Sequence, residues 1–249
     1  MITIQNLHFQ YGSTAIFENF NWQVQRAETW TVLGPSGCGK TTLLYLLAGL
    51  RLPQRGQIEI NTQILRRPRP QTGLILQDFG LLPWATVRQN AELGLEIRSF
   101  YGADGIHAPR HLPAAKSAAF WLERLGLGAV ADKYPAQLSG GQRQRTAIAR
   151  TLALQPDLLL MDEPFSALDA PTREDLQNLT LELCAEQDLT LITITHAIEE
   201  AATLGRKILL LRQPPNREPL VFENPAVGQP GYRNSPEYLQ LCKQLRAEM

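Results

Sequence analysis

The sequence predicts an α/β fold in which a mostly parallel central sheet is flanked by helices. From Trp30 onward, short apolar stretches alternate with helix-compatible segments, as expected for parallel strands that are covered on both faces. The opening third instead alternates apolar and polar residues around a turn at Tyr11-Gly12-Ser13. That period of two predicts an additional antiparallel β subdomain at the N-terminus.

Apolar runs and strong helix formers place the other elements. The runs predict strands at residues 30–33, 73–76, 158–161, 191–195 and 207–211. Helices are predicted at residues 41–50, 141–154, 173–187 and from about Ser235. Residues 83–138 are mostly helix-compatible around a polar stretch at 99–113, which predicts an inserted helical lobe. The Pro-rich residues 213–230 are predicted to be irregular.

Composition narrows the function classes. The 249 residues carry 24 basic and 24 acidic side chains, so no overall positive field would draw the chain to nucleic acid, and we expect no such partner. The first residues do not resemble a secretion signal, and no apolar run approaches the ~18 residues of a spanning helix. We therefore expect the chain to stay in the cytosol. Its three cysteines have unrelated spacings and are predicted to be reduced.

A glycine-rich loop lies between the strand predicted at 30–33 and the following helix. It matches the pattern GxxxxGK[ST] in full. Glycines let backbone N–H groups converge on phosphate oxygens, and the helix N-terminus adds partial positive charge. A solvated glycine turn is the alternative, but the strand-loop-helix context favours phosphate binding. The predicted nucleotide-binding residues are Gly34, Pro35, Ser36, Gly37, Cys38, Gly39, Lys40, Thr41 and Thr42.

Two adjacent carboxylates, Asp162 and Glu163, end the predicted strand at 158–161. Ligands of parallel sheets bind at the carboxyl ends of the strands, so these acids are candidates for chemistry. Asp162 would hold Mg²⁺, and Glu163 would act as the general base on water. Taken alone, the pair could equally be a helix N-cap; the phosphate loop upstream favours the catalytic interpretation.

The segment LSGGQ at residues 138–142 begins another helix and offers a second set of backbone donors to an anion. Two phosphate-binding helix starts in one chain are understandable if the two sites face each other across a dimer. Together with the phosphate loop and LLLMDEP, this segment resembles the ATP-binding subunit of ABC transporters. The resemblance extends from about Met1 to Leu211.

The resemblance implies a P-loop NTPase fold of the ABC type, with ATP and Mg²⁺ bound in a head-to-tail homodimer. It assigns adenine stacking to Tyr11, which could otherwise be an ordinary turn aromatic. It assigns Gln77 to Mg²⁺ and the attacking water, and His196 to the γ-phosphate. Asp169, in the segment at 166–169, would communicate across the dimer. The partner subunit would supply Ser139, Gly140, Gly141 and Gln142 to the nucleotide.

The implied catalysis is electrostatic. Donors and cations arranged around the γ-phosphoryl group supply most of the effect in phosphoryl transfer. The catalytic residues would be Lys40, Gln77, Glu163 and His196, and the metal site would comprise Thr41, Gln77 and Asp162. The domain would span residues 1–212, with the helical lobe at about 83–138, followed by a short tail at 213–249 without a regulatory domain.

The stretch LLPW at 81–84 and the segment 169–174 are similar to importers of nitrate, sulfonates, taurine or thiamine precursors. That similarity implies transmembrane permease subunits, a solute-binding protein, and a peripheral location at the cytoplasmic face of the inner membrane. Leu82, Pro83 and Trp84 are candidates to contact the permease, although each could equally be a hydrophobic staple within the lobe.

Other classes are less well supported. A soluble ABC ATPase acting on ribosomes or nucleic acid usually has two nucleotide-binding domains in one chain or a long heptad insertion, and the sequence has neither. A non-hydrolysing module would lack Glu163 or His196. Two positions depart from the family: Ala197 replaces a common aspartate, and Leu76 a common phenylalanine. The remaining histidines are predicted to be surface residues: His8, His107 and His111.

Overall fold

The computed structural model describes residues 1–101 and 117–249. The strands are β1 Ile2–Tyr11, β2 Thr14–Val24, β3 Thr29–Leu33, β4 Arg55–Ile60, β5 Gln63–Ile64, β6 Thr72–Ile75, β7 Leu158–Asp162, β8 Thr190–Thr195, β9 Lys207–Leu210 and β10 Leu220–Glu223. The helices are α1 Lys40–Leu47, α2 Val87–Tyr101, α3 Ala118–Arg124, α4 Gly140–Leu152, α5 Ala170–Glu186, α6 Ile198–Leu204 and α7 Pro236–Glu248.

The chain divides into two compact units. The first unit comprises residues 1–68 and 177–249, and the second comprises residues 69–176. Most of the polar stretch predicted at 99–113 lies outside the described residues, as do His107 and His111. His8 is half-buried on β1.

The N-terminal sheet of the first unit is antiparallel, with strand order β2-β1-β4-β5, as the alternating pattern predicts. Its buried side chains change parity along β1: Ile2 and Ile4 are buried, and then Leu7 and Phe9. A bulge explains the change, because the pairing shifts between Ile4 and Leu7 where Asn6 adopts a φ of 50°. One extra residue rotates the following side chains to the other face.

The remaining strands of the first unit follow the order β10-β9-β3-β8. Strand β3 pairs in parallel with both β8 and β9, and β10 is antiparallel to β9. All six residues of β8 are buried, which fits a parallel strand covered on both faces. Helices α6 and α7 bury their apolar sides in one cluster with Leu33, Ile208 and Leu210.

The second unit contains the parallel pair β6 and β7 together with the mutually packed helices α2, α3 and α4. Helix α4 approaches β6 closely, because a Cβ at Gly73 would lie 2.3 Å from Thr151 Cγ2. Only glycine fits at this contact.

The structure differs from the predictions in several details, including the start of α5 at Ala170, three residues earlier than predicted. Helix α1 ends at Leu47, three residues early, because Gly49 adopts a φ of 72° that a continuing helix does not allow. Residues 220–223, predicted to be irregular, form the edge strand β10. The flanking prolines obscured that strand, although Pro219 precedes its first residue and removes no ladder hydrogen bond. Helix α6 was not predicted.

The three cysteines are buried and free, as predicted. Within residues 1–101 and 117–249, no helix has both the length and the apolar character that a membrane span needs.

The N-terminal sheet provides a test of packing at a left-handed backbone position. Gly56 has a φ of 77°, and a Cβ there would lie 2.3 Å from the Asn6 carbonyl oxygen. Gly228 has a φ of 80°, and a Cβ there would have no neighbour within 4 Å. We expect Gly228→Ala to lower the free energy of unfolding by about 1 kcal/mol, from backbone strain alone.

Gly56→Ala adds a steric clash to the same strain, so we expect a loss of about 2–5 kcal/mol in guanidinium unfolding. Equal losses in the two variants would contradict the assigned approach of β4 to the Asn6 bulge.

Candidate functional site

The phosphate loop connects β3 to α1 and belongs to the first unit. Gly39 has a φ of 108°, and a Cβ there would lie 2.6 Å from Ile16 Cγ2. Both the left-handed backbone and the close contact require glycine at this position. The Cys38 N–H donates to the Pro35 carbonyl over 3.4 Å, which closes the loop on itself.

Lys40 is the most unusual group of this loop. Its residue is only 7% exposed, and its Nζ donates to the carbonyl oxygens of Gly34 at 2.7 Å and Pro35 at 2.9 Å. Among the described residues its acceptors include no carboxylate. A buried ammonium with only neutral acceptors is costly, so the loop suits an anion that brings a counter-charge. A nucleotide phosphate fits this requirement.

Other groups of the loop complete the phosphate-binding side. The Gly39 N-cap makes no side-chain cap hydrogen bond, which leaves the first N–H groups of α1 available to an anion. Thr41 is exposed and Thr42 is buried. Burial raises the pKa of the Cys38 thiol, against the opposing effect of nearby Lys40, so the thiol remains protonated at neutral pH.

Two further candidates lie in the first unit. Tyr11 ends β1, is 44% exposed and packs edge-on against Phe9, with 5.0 Å between ring centroids. An exposed ring face suits stacking on a base. His196 directly follows β8 and is exposed. The next residue, Ala197, donates its N–H to Thr195 Oγ1 at 3.1 Å, and this contact sets the turn into α6.

The second unit brings Gln77 and Glu163 together. Gln77 Nε2 lies 3.5 Å from Glu163 Oε2, although 86 residues separate them in the chain. Asp162 is the last residue of β7, and Glu163 adopts a φ of 43°. A left-handed non-glycine residue stores strain, and such strain is concentrated at functional sites. The turn is fixed by Ser166, whose Oγ donates to the Glu163 carbonyl at 3.0 Å.

Sequence reasoning missed the contribution of Arg150. Its guanidinium, on α4, donates to the carbonyl of Phe79 at 2.8 Å and to that of Gly80 at 2.6 Å. Burial lowers the pKa of Arg150, while the Asp78 carboxylate acts in the opposite direction. Phe79 and Gly80 both have positive φ, so this arginine fixes a strained turn just after Gln77. No signal in the local sequence links these positions.

Ser139 begins α4 with a reciprocal capping box. The Gln142 N–H donates to Ser139 Oγ at 3.3 Å, and the Ser139 N–H donates to Gln142 Oε1 at 3.0 Å. Gly140 and Gly141 pack tightly, because a Cβ at Gly141 would lie 2.6 Å from Thr172 Cγ2. Asp169 accepts hydrogen bonds from Thr172 at the start of α5, and the bond from the Thr172 side chain contributes most to its lowered pKa.

Asn90 organises the loop that carries LLPW. This fully buried side chain donates to the carbonyls of Leu82, Ala85 and Thr86, and accepts from the Leu82 N–H at 2.8 Å. The loop is thereby fixed while Pro83 is exposed and Trp84 is 73% exposed. Asn90 lies outside the stretch LLPW, and only the structure reveals its contacts with it.

Comparison with known proteins decides the family. The family model described as ABC transporter matches residues 17–166. The chain belongs to the ABC transporter family. An uncharacterized ABC transporter ATP-binding protein of Methanocaldococcus jannaschii is 37% identical over 98% of this chain and 89% of its own length. The taurine import ATP-binding protein of Escherichia coli O157:H7 is 42% identical over 87% of this chain and 82% of its own.

Solved structures of ABC proteins confirm the predicted fold class. A dimeric ATP-binding cassette in a post-hydrolysis state, bound to ADP and phosphate, is 30% identical with a TM-score of 0.73, over 90% of this chain and 98% of that one. CbiO1 of Clostridium perfringens is 24% identical with a TM-score of 0.76, over 99% of this chain and 98% of that one, and bears on the fold alone. Within the ABC family, this chain is an ATP-binding and ATP-hydrolysing subunit.

The two roles of Ser139, helix cap and predicted ATP ligand, can be separated by two substitutions. Ser139→Ala removes the cap and should lower the free energy of unfolding by about 1 kcal/mol. Ser139→Asp keeps a strong cap, so we expect stability close to wild type, but its carboxylate would repel a nucleotide phosphate. ATP turnover should therefore be lower in Ser139→Asp than in Ser139→Ala.

Phosphate-release assays and guanidinium unfolding on the same preparations measure the two effects. Wild-type turnover in Ser139→Asp would show that Ser139 acts only as a cap.

Proposed function

We propose that this ATPase drives the import of a small organic sulfonate of the taurine class through separate membrane-spanning subunits. The observation that carries the proposal is the loop at 82–86, which is fixed from inside by Asn90 while Trp84 is exposed. A rigid loop that presents an aromatic side chain suits a protein partner. The 42% identity to the taurine import protein supports the solute class.

In this proposal residues 1–212 form the nucleotide-binding domain, with the helical lobe at about 83–138 and a tail at 213–249. The phosphate loop binds the ATP phosphates through its backbone N–H groups and Lys40, and Tyr11 stacks on the adenine. The buried ammonium of Lys40 supports this role, because a bound polyphosphate supplies the counter-charge that the loop lacks.

Thr41, Gln77 and Asp162 are the proposed ligands of Mg²⁺. Hydroxyl, amide and carboxylate oxygens can serve as ligands of Mg²⁺. The ion commonly binds through one or two carboxylates plus substrate phosphates. When bound, the ion would neutralise charge on the β- and γ-phosphates.

Glu163 is proposed to take the proton of the attacking water, while Gln77 orients that water and His196 contacts the γ-phosphate. The 3.5 Å approach of Gln77 Nε2 to Glu163 Oε2 supports the shared task, since the amide donor orients the carboxylate. Lys40 and His196 then stabilise the charge of the transferring phosphoryl group.

A second copy of this chain is proposed to complete each site. The residues that would reach the nucleotide of the partner copy are Ser139, Gly140, Gly141 and Gln142, with Asp169 communicating between the copies. The post-hydrolysis cassette that this chain resembles is itself dimeric and bound to ADP and phosphate. ATP would hold the two copies together, and hydrolysis would release them.

The proposed location is the cytoplasmic face of the membrane, where the chain binds permease subunits that receive solute from a binding protein. No nucleic-acid partner is proposed, because the basic and acidic side chains balance at 24 each.

Glu163→Gln tests the nucleotide site. The substitution keeps shape and hydrogen bonding but removes the base, so we expect ATP binding to persist while turnover falls on the order of 100-fold or more. Slow turnover should trap an ATP-bound dimer, measured by size-exclusion chromatography with light scattering. Glu96→Gln, an identical change at an exposed position of α2, is the control and should behave as wild type.

Wild-type turnover in Glu163→Gln would remove this residue from the chemistry. A variant that binds ATP but remains monomeric would show that the dimer needs the membrane subunits, or that the facing sites are wrongly assigned.

Trp84→Ala tests the membrane partner. We expect ATP binding and thermal stability near wild type, because the side chain is 73% exposed. Capture of transmembrane proteins from detergent-solubilised membranes should fall by about tenfold or more, as for a central interface aromatic. Mass spectrometry of the captured proteins measures the loss and identifies the permease.

Leu239→Ala, at an exposed apolar position of α7, is the matched control and should retain capture. Ribosomal proteins or nucleic acid in place of a permease would favour a soluble ABC ATPase instead.

A further inference from the structure

Asn216, in the segment 212–219 between β9 and β10, contacts both β2 and the phosphate loop. Asn216 is 6% exposed, and all its hydrogen-bonding groups are used. Its N–H donates to the Ile16 carbonyl at 2.9 Å, and its own carbonyl accepts from the Glu18 N–H at 3.0 Å. These bonds form a parallel bridge to β2 beside Phe17.

The side chain of Asn216 extends the same contact to the loop itself. Its Nδ2 donates to the Cys38 carbonyl at 2.8 Å and to the Ile16 carbonyl at 3.3 Å, while its Oδ1 accepts from the Arg212 N–H at 3.0 Å. The amide therefore joins three stretches of chain: the tail, β2 and the phosphate loop.

The neighbouring residue of the loop packs on the same part of β2. A Cβ at Gly39 would lie 2.6 Å from Ile16 Cγ2 and 3.4 Å from Phe17 Cζ. The Cys38–Gly39 peptide is thus held at both of its residues, by a hydrogen bond at Cys38 and by packing at Gly39.

The direction of this hydrogen bond matters because a trans peptide is planar, with its C=O and N–H pointing in opposite directions. With the Cys38 oxygen directed at Asn216, the Gly39 N–H is directed away from β2 and the tail. Among the described residues this N–H has no acceptor within the chain. It is one of the donors that a phosphate-binding loop offers to its ligand.

We infer that Asn216 is a positioning residue of the phosphate loop, which orients the Gly39 N–H toward the phosphates of the bound nucleotide. The inference rests on the proposed nucleotide site and assigns a function to a tail that sequence analysis treats as irregular. Asn216 acts through Cys38 and does not touch the nucleotide.

The test compares Asn216→Ala with Asn224→Ala in the full chain. Asn224 is a matched control, because it is 3% exposed, donates to the carbonyls of Ala202 and Gly205, both at 2.8 Å, and accepts from the Tyr232 hydroxyl, away from the loop. Both variants lose three side-chain hydrogen bonds and should lose similar thermal stability. Isothermal titration with MgADP should give a Kd about 5- to 30-fold higher for Asn216→Ala, as expected for one buried hydrogen bond and its partner.

Two readouts separate positioning from loss of folded protein. Misfolding lowers the stoichiometry of ADP binding at an unchanged Kd, whereas a misoriented donor raises the Kd at full stoichiometry. In ATP hydrolysis, Asn216→Ala should raise KM with kcat within about twofold, because the N–H contacts phosphate before and during the reaction. Asn224→Ala should leave Kd and KM within about twofold of wild type.

If Asn216→Ala does not fold, Asn216→Asp replaces it, with Asn224→Asp as control. The aspartate keeps the acceptor for Arg212 but places an oxygen opposite the Cys38 carbonyl, so the same rise in Kd is expected. A Kd within about twofold of wild type in the folded Asn216 variant would overturn the inference and leave the proposed function intact. Wild-type protein that binds no ADP would overturn both.

Discussion

A lysine side chain buried against neutral carbonyl groups, with no carboxylate acceptor among the described residues, is the constraint on which the phosphate loop depends. Lys40 is the first residue of α1, and its Nζ donates to two carbonyl groups of the preceding loop, those of Gly34 and Pro35. Desolvating an ammonium in this way is costly, so the loop must hold its carbonyls at fixed positions. Gly39 allows the backbone to turn, and β2 and Asn216 support it from behind. In the proposed function, a bound phosphate supplies the negative charge.

Local sequence predicts most of the fold because burial dictates the residue types of parallel strands. The apolar runs of β3, β7 and β8 are visible without a structure. Strand β10 was missed because its formation depends on pairing with another strand. It is a strand because it pairs with the edge of β9, and its own sequence does not demand one. The bulge at Asn6 also cannot be predicted from the sequence. Its only sign there is that the apolar residues shift from even to odd positions, a change that would also fit a loop.

In the candidate site, too, some features can be predicted from the sequence and others only from the structure. The phosphate loop, LSGGQ and the Asp162-Glu163 pair are each a contiguous segment, so the sequence alone predicts a role for them. The contacts that orient them join distant positions, such as Gln77 with Glu163 and Arg150 with Phe79. A glutamine in a turn, such as Gln77, or an arginine on a helix, such as Arg150, has no local feature that distinguishes it from a solvated one. Their partners are defined only after the strands and helices have packed.

Buried asparagines recur at irregular segments of this protein for a physical reason. Loops leave carbonyl groups without ladder partners, and a buried carbonyl needs a donor. A side-chain amide has two donors and one acceptor oxygen and no charge, so it binds two carbonyls and one N–H or O–H group without the desolvation cost of an ion. Asn216 and Asn224 each do so, and Asn90 shares its amide hydrogens among three carbonyls and accepts from one N–H. An aspartate would present oxygen to oxygen there, so the amide nitrogen is what fixes the backbone beside the phosphate loop and beneath the exposed Trp84.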